Sequence, residues 1–312
     1  MKEIRIGGQA VLEGIMMKGP ESYALAVRKP DKTIDVSVTP FVSAGQKAKV
    51  LNIPILRGVV NFIESLYIGM KTLMKSSEYF EEEEESEGSD KKSDKKDGKD
   101  DMKDKAYLVG SLLLSLVIAV VIFMMLPAFV ANFLYKITES NLLVNLAEGI
   151  LRLVIFLVYI ILISKMEDIN RTFMYHGAEH KTINCLEAGD ELTVENVMKH
   201  TRFHKRCGTS FVFIVMIVSI IVFMFVSTDV MWLRLLSRVL LVPVIAGISY
   251  EFIRYAGKHN NACSTILSQP GLWVQRVTTK EPDPDMVEVA IASVDAVIDW
   301  RAYIEEINSD KE

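Results

Sequence analysis

AYLVGSLLLSLVIAVVIFMMLPAFVANFLY at 106–135 runs thirty residues without a charge, and GTSFVFIVMIVSIIVFMFVST at 208–228 runs twenty-one more. A helix needs about 20 consecutive apolar residues to cross a bilayer, so these two runs exclude a wholly soluble fold. Two less clean segments alternate with them: about 142–165, carrying Glu148 and Arg152, and about 232–256, carrying Arg234, Arg238, Glu251 and Arg254. With the clean runs at about 106–131 and 209–228, the expectation is four transmembrane helices. Glu148 and Arg152 stand four apart, acid first, and an unpaired charge at that depth is expensive. Pairing with each other, or with Arg234 or Arg238, is expected over a translocation path, because a path needs more polar positions than these spans show.

The stretch between the spans sets the orientation. From Lys165 to Cys207 it carries seven basic residues, among them Arg171, Lys181, Arg202 and Arg206, whereas the two short opposite loops carry only Lys136. The positive-inside bias then places this stretch and both termini in the cytosol, in a multi-pass protein of the bacterial inner (plasma) membrane. The first 25 residues include Glu3, Arg5, Glu13 and Lys18 with no uninterrupted apolar core, so no secretory signal is expected. The net charge of −5 is local: residues 76–105 hold 13 acidic and 7 basic side chains, which leaves the remainder at +1. No basic character points to nucleic acid. Three cysteines without a CxxC pair argue for reduced thiols.

Outside the spans, residues 1–45 read as a small β-rich module. Tyr23, Leu25 and Val27 alternate, Lys29-Pro30-Asp31-Lys32 turns, and Ile34, Val36 and Val38 alternate again, which is a hairpin. The glycines of 7–14 fit no phosphate-loop spacing and read as turns. Residues 46–76 contain an amphipathic helix from Pro54 to about Ser76, with Arg57, Asn61, Glu64 and Lys71 opposite its apolar face. That polar stripe is either a solvated face or a surface docked on the rest of the protein. Residues 77–105, with five consecutive glutamates and then alternating Lys and Asp, read as a disordered tether. The first transmembrane pair (106–165), a cytosolic His/Cys segment (166–208), the second pair (209–257) and a cytosolic C-terminal segment with a helix from Pro284 to about Ile307 (258–312) complete the chain. The fold class expected is thus a mainly α membrane protein with a small cytosolic β-rich module and cytosolic helical segments. The order of clean span, charged span and His/Cys segment occurs twice with unequal spacing, a weak internal repeat.

All five histidines and all three cysteines fall between 176 and 263. His176 and His180 are four apart, as are His200 and His204, and Cys207 follows His204 by three. If helical, each set projects from one helix face, the geometry from which two helices build a tetrahedral metal site. His176-Gly177-Ala178-Glu179-His180 matches H-x-x-E-H, in which two imidazoles hold zinc and the glutamate activates water. The candidate ligands are therefore His176, His180, His200, His204, Cys207 and Glu251, with Glu179 as base and a divalent metal, zinc, as cofactor. The plainer reading makes the histidines polar residues of a basic surface loop. Thr193 is placed to cap a helix that begins at Val194.

GGQAVLEGIMMKGP at 7–20, PILRGVVNFIESLYIGMKTL at 54–73, YHGAEHKTINC at 175–185, ELTVENVMKHTRFHKRCGTSF at 191–211 and SYEFIRYAGKH at 249–259 together resemble the YqhQ family of bacterial membrane proteins. The resemblance covers most of the chain outside the acidic tether and extends to VTTKEPDPDMVEVAIASVDAV at 277–297. It implies a metal-dependent enzyme and leaves the substrate open. Two functions stand side by side: a metal-dependent hydrolase at the cytosolic membrane face, or a non-enzymatic scaffold or assembly factor that binds other membrane proteins or a cytosolic partner. Transport ranks third. Oligomeric state is not encoded in any of these features.

Overall fold

The computed structural model describes residues 6–88, 110–111, 113–226, 230–259 and 261–309, with backbone alone at 81–88, 231, 234 and 235. The chain forms two compact units: Met1–Glu83 with Ile160–Val215 and Pro243–Glu312, and Glu84–Tyr159 with Met216–Val242.

The first unit is built on a four-stranded antiparallel meander, β1 (Gly7–Val11), β2 (Gly14–Lys18), β3 (Ser22–Arg28) and β4 (Ile34–Pro40), in the order β1-β2-β3-β4. The hairpin expected from 23–38 is β3–β4, with Tyr23 opposite Thr39. The glycines of 7–14, read as turns, belong instead to strand β1 and to a tight connection through Leu12 and Glu13 (φ 47°). Glycine hides the alternation there because it offers no side chain to either face. A Cβ on Gly14 would lie 2.5 Å from the Ala26 carbonyl oxygen, so β2 and β3 pair only with glycine at that position.

Every residue from Tyr23 to Val27 is buried, because both faces of the sheet are covered. One face carries Ile15, Met17 and Ala26 against α4 (Glu167–Ala188), α9 (Pro284–Asp295) and α10 (Trp300–Ser309). The other carries Met16, Leu25 and Val27 against Ile68, Tyr79 and Phe80 of α1 (Leu56–Gly88). That packing extends α1 beyond Ser76. Tyr79 donates to Asp35 and the glutamate run continues the helix, so the charged segment is helical through Gly88 where the sequence suggested a tether. Its remainder, 89–105, lies outside the described residues. The polar stripe of α1 is docked: Arg57 forks onto Glu251, Asn61 reaches the Tyr250 hydroxyl at 3.1 Å, and Glu64 accepts from Ser43 and from the Ala44 N–H. The expected helix from Pro284 to Ile307 is broken into α9 and α10 by a bend at 296–299.

In the second unit, α2 (Leu113–Lys136) carries a π-turn at Val121–Met125 just before Pro127. Proline has no N–H, so the Phe123 carbonyl four residues earlier loses its helical donor. Arg152 of α3 (Asn141–Ile163) supplies the replacement, its Nε donating to Phe123 O at 3.0 Å. Arg152 also meets Glu148 at 2.9 Å, and Glu148 takes a second guanidinium from Arg238 at 2.6 Å. Glu148 and Arg152 therefore pair as expected, with Phe223 lying over the guanidiniums of Arg152 and Arg238.

Among the described residues, three helices are long and apolar enough to cross a membrane: Leu113–Lys136, Asn141–Ile163 and Leu236–Lys258, the last being most of α7 (Met231–Lys258). The run from 208 forms α6 (Gly208–Met224), an apolar helix of 17 residues and shorter than those three.

Candidate metal centre

The H-x-x-E-H sequence lies on α4, where a spacing of four puts His176 and His180 on one face, ring centroids 4.4 Å apart. The helix is terminated by Gly189 at φ 85°, whose N–H closes back on the carbonyls of the last turn. Facing these two rings is Cys207, the residue before α6. One ligand atom from each of His176, His180 and Cys207 lies within 4.8 Å of the other two. Nε2 of His176 stands 3.2 Å from the Cys207 sulfur.

Both imidazoles are oriented from behind. Nδ1 of His176 donates to the Thr278 carbonyl at 2.8 Å, and Nδ1 of His180 donates to the Arg202 carbonyl at 2.7 Å. With each Nδ1 donating outward, Nε2 is the nitrogen each ring turns to the centre, the arrangement seen behind metal-ligating histidines. The Cys207 sulfur also meets the Thr209 hydroxyl at 3.0 Å. Burial resists charge on this pair. For His176 the Cys207 charge and hydrogen bond, then Glu179, overcome that resistance and raise it to about 9. For Cys207 the two imidazoles overcome it and hold the thiol well below its ordinary range. A thiolate between two imidazoles is a soft donor set suited to zinc, and its His–Cys contact is also the spacing of a nucleophile and its base.

The loop that delivers Cys207 is pinned by polar side chains. Gln275 of α8 (Ala262–Thr278) clamps His204 through both its N–H and its carbonyl, at 2.8 and 2.7 Å, and also bonds Ser210. Lys181 donates to the carbonyls of Met198 and His200, and Arg202 binds Thr279 and Glu281. Nothing in the sequence marks Thr278, Gln275, Lys181 or Arg202 as part of a site; Lys181 and Arg202 count there only toward the basic charge. All four act through backbone atoms or across long separations, and no spacing rule marks them.

The other candidates are placed as follows. α5 (Val194–Lys199) starts at Thr193 as expected but stops before His200, so 200–207 is loop and the helical spacing assumed for His200, His204 and Cys207 does not occur. His200 turns away to Asp190 at 2.9 Å. His204 is buried, its ring 5.6 Å from that of His180, and faces Glu187 at 3.4 Å. Glu251 is occupied by Arg57 and by the N–H of Ile55, a residue held at φ 70°. His259 stacks on Tyr255, and Cys263 is exposed. Glu179 is buried, and its Oε1 accepts the Gly8 N–H at 3.1 Å. Gly8 of β1 thus holds the Glu179 carboxyl group through its backbone. A Cβ on Gly8 would lie 2.6 Å from the Glu179 carboxyl carbon.

No solved structure matches this chain. The uncharacterized protein YqhQ of Bacillus subtilis (strain 168) is 37% identical over 304 residues, 96% of this chain and 94% of that protein. A family profile described as "Protein of unknown function (DUF1385)" matches residues 53–300, which include His176, Glu179, His180 and Cys207. With both matches extending over most of its length, the chain belongs to the DUF1385 family.

Proposed function

We propose that this protein is a multi-pass protein of the bacterial inner membrane, with both termini and the metal centre on the cytosolic side. There it holds Zn²⁺ at His176, His180 and Cys207 and hydrolyses a bond in a membrane-proximal peptide or lipid headgroup. The observation that carries this reading is the convergence of two Nε2 atoms and one sulfur, each imidazole fixed from behind by a backbone carbonyl. Three protein ligands leave the fourth tetrahedral position open, as in catalytic rather than structural sites. Bound zinc would supply Lewis acidity and make water nucleophilic near neutral pH. Thr278 and Arg202 orient the imidazoles, Thr209 meets the Cys207 sulfur, and Glu179, held by Gly8 through Oε1, would serve as the general base. His200 and Glu251 have their own partners and take no part in this reading.

Elemental mass spectrometry of detergent-purified wild type beside His176→Ala/His180→Ala tests it. Near-stoichiometric zinc in the wild type, lost in the variant, is expected. No metal in either sample after purification without chelator overturns the metal reading. Glu179→Gln should keep zinc yet fail to complement a deletion; full complementation removes the general base.

A second reading, a non-enzymatic scaffold or assembly factor, draws on edge strand β4, which leaves Val36 and Val38 exposed for pairing or packing with a protein partner. It predicts stable co-purifying partners and indifference to chelators.

A further inference from the structure

α8 is inside out. Its buried side is mostly polar: with Gly271 and Val274 among them, Ser264, Ser268, Gln275 and Thr278 face inward. Each is satisfied there, Ser264 by Asn261 in a capping box, Ser268 by the Ser264 carbonyl at 2.7 Å, and Gln275 by His204 and Ser210. Gly271 brings the helix against Ser210 of α6, so close that a Cβ would lie 2.5 Å from the serine side chain. The outward side carries large apolar side chains, with Thr265, Gln269 and Arg276 exposed beside them. Ile266 is 71% exposed and Trp273 61%, with Pro270 and Val277 between and beyond them at helical spacing. A helix in water has the opposite polarity.

Two comparisons within the chain give this pattern meaning. α3, long and apolar enough to span, has the same sense: Asn145, Glu148 and Arg152 buried, Leu143, Ile150 and Val154 exposed. α9, only a few residues after α8, has the ordinary sense, burying Val287, Val289 and Ala290 and exposing Asp285 and Glu288. α8 is also continuous with a spanning helix. It begins at Ala262, just after α7 ends at Lys258, and α7 itself exposes Val244, Phe252 and Tyr255. Arg276 near its far end is exposed, and a basic residue there suits a helix at a phosphate-bearing surface.

We propose that α8 is not cytosolic but lies in the plane of the bilayer at the boundary of headgroups and acyl chains, with Ile266 and Trp273 in the chains. The occupant of its apolar face is the lipid of the membrane that α7 crosses. This placement does not depend on the metal. It does bear on the metal centre, because Thr278, whose carbonyl orients His176, is the last residue of α8. The centre then stands at the level of the lipid phosphates.

The test uses the full chain in phosphatidylcholine–phosphatidylglycerol vesicles with or without brominated acyl chains. Subtracting the emission of Trp273→Phe from that of the wild type isolates Trp273 from Trp232 and Trp300. The expected Trp273 component loses at least about half its intensity to brominated chains and resists aqueous iodide. A component quenched by iodide and untouched by brominated chains overturns the proposal. An environment-sensitive dye on Ile266→Cys, in a Cys263→Ser background, repeats the reading at a second position and must agree. Neither readout changes with zinc, so failure here and failure of the metal reading are separate results.

Discussion

Gly177→Ala isolates the link between packing and the metal centre. Gly177 stands between the two candidate ligand histidines, and a Cβ there would lie 1.9 Å from the carbonyl oxygen of Lys280. Restoring even a tight 3.0 Å contact requires a retreat of about 1.1 Å in a close-packed interior. The obstacle is backbone, and it is tied down: Lys280 N–H donates to Phe173 O at 2.9 Å, and Thr279 holds Arg202. Two residues before Lys280 is Thr278, whose carbonyl holds His176 Nδ1 at 2.8 Å. A retreat of that size carries this hydrogen bond out of range. Losing the partner behind a metal-bound histidine costs about ten- to a hundred-fold in affinity, and overpacking costs about 1–3 kcal/mol in stability. Competition with a chelating zinc indicator, together with thermal unfolding in detergent, reads both quantities. Gly208→Ala is the control, since a Cβ there meets nothing within 4 Å. Equal zinc affinity and equal melting in the two variants would refute the reasoning.

Gly8→Ala should displace the Glu179 carboxylate, which a Cβ would approach to 2.6 Å, so activity falls while zinc content stays unchanged; an equal loss of both would place Glu179 in a structural role. Glu148→Gln leaves Arg152 and Arg238 facing each other without their carboxylate and should cost about 3–5 kcal/mol in denaturant unfolding. Arg238→Met, which keeps the Glu148–Arg152 pair, should cost only about 1–3 kcal/mol, and the reverse order would show that the triad is not held by charge. Burial first, and then Asp190, push the Cys185 thiol up to about 12. A raised thiol binds its proton more tightly in the folded state, so its contribution to stability is complete below about pH 9 and declines as the pH rises toward 12. Maleimide at pH 8 should therefore modify exposed Cys263 and spare Cys185 unless the protein is unfolded, as peptide mass mapping will show.

Much of the architecture was legible because its signals are local. The apolar runs announced long apolar helices, Thr193 announced α5, the alternation at 23–38 announced β3–β4, and the i,i+4 spacing on α4 announced two histidines on one face. The misreadings have a common origin in contacts that leave no periodic trace. β1 was masked by its glycines, α1 was prolonged by Tyr79 and Phe80 packing on the sheet, and 200–207 stayed loop because Gln275, Lys181 and Asn184 hold its backbone from elsewhere. Helical spacing groups Cys207 with His200 and His204, whereas a pinned loop brings it beside His176 and His180.

The sequence by itself determined that this chain carries helices apolar enough to cross a membrane, that Glu148 and Arg152 pair, and that its histidines and cysteines gather in one region, since hydropathy, desolvation cost and composition act residue by residue. The tertiary structure alone decided which of them meet. His176, His180 and Cys207 converge, whereas His200 goes to Asp190 and Glu251 to Arg57. It also decided that α8 faces its polar side inward, because which face of a helix is buried depends on the neighbour that claims it. Pairing across 31 residues to Cys207 or 102 to Thr278 follows from how helices and loops pack, and that information is spread over the whole unit and not carried by any motif.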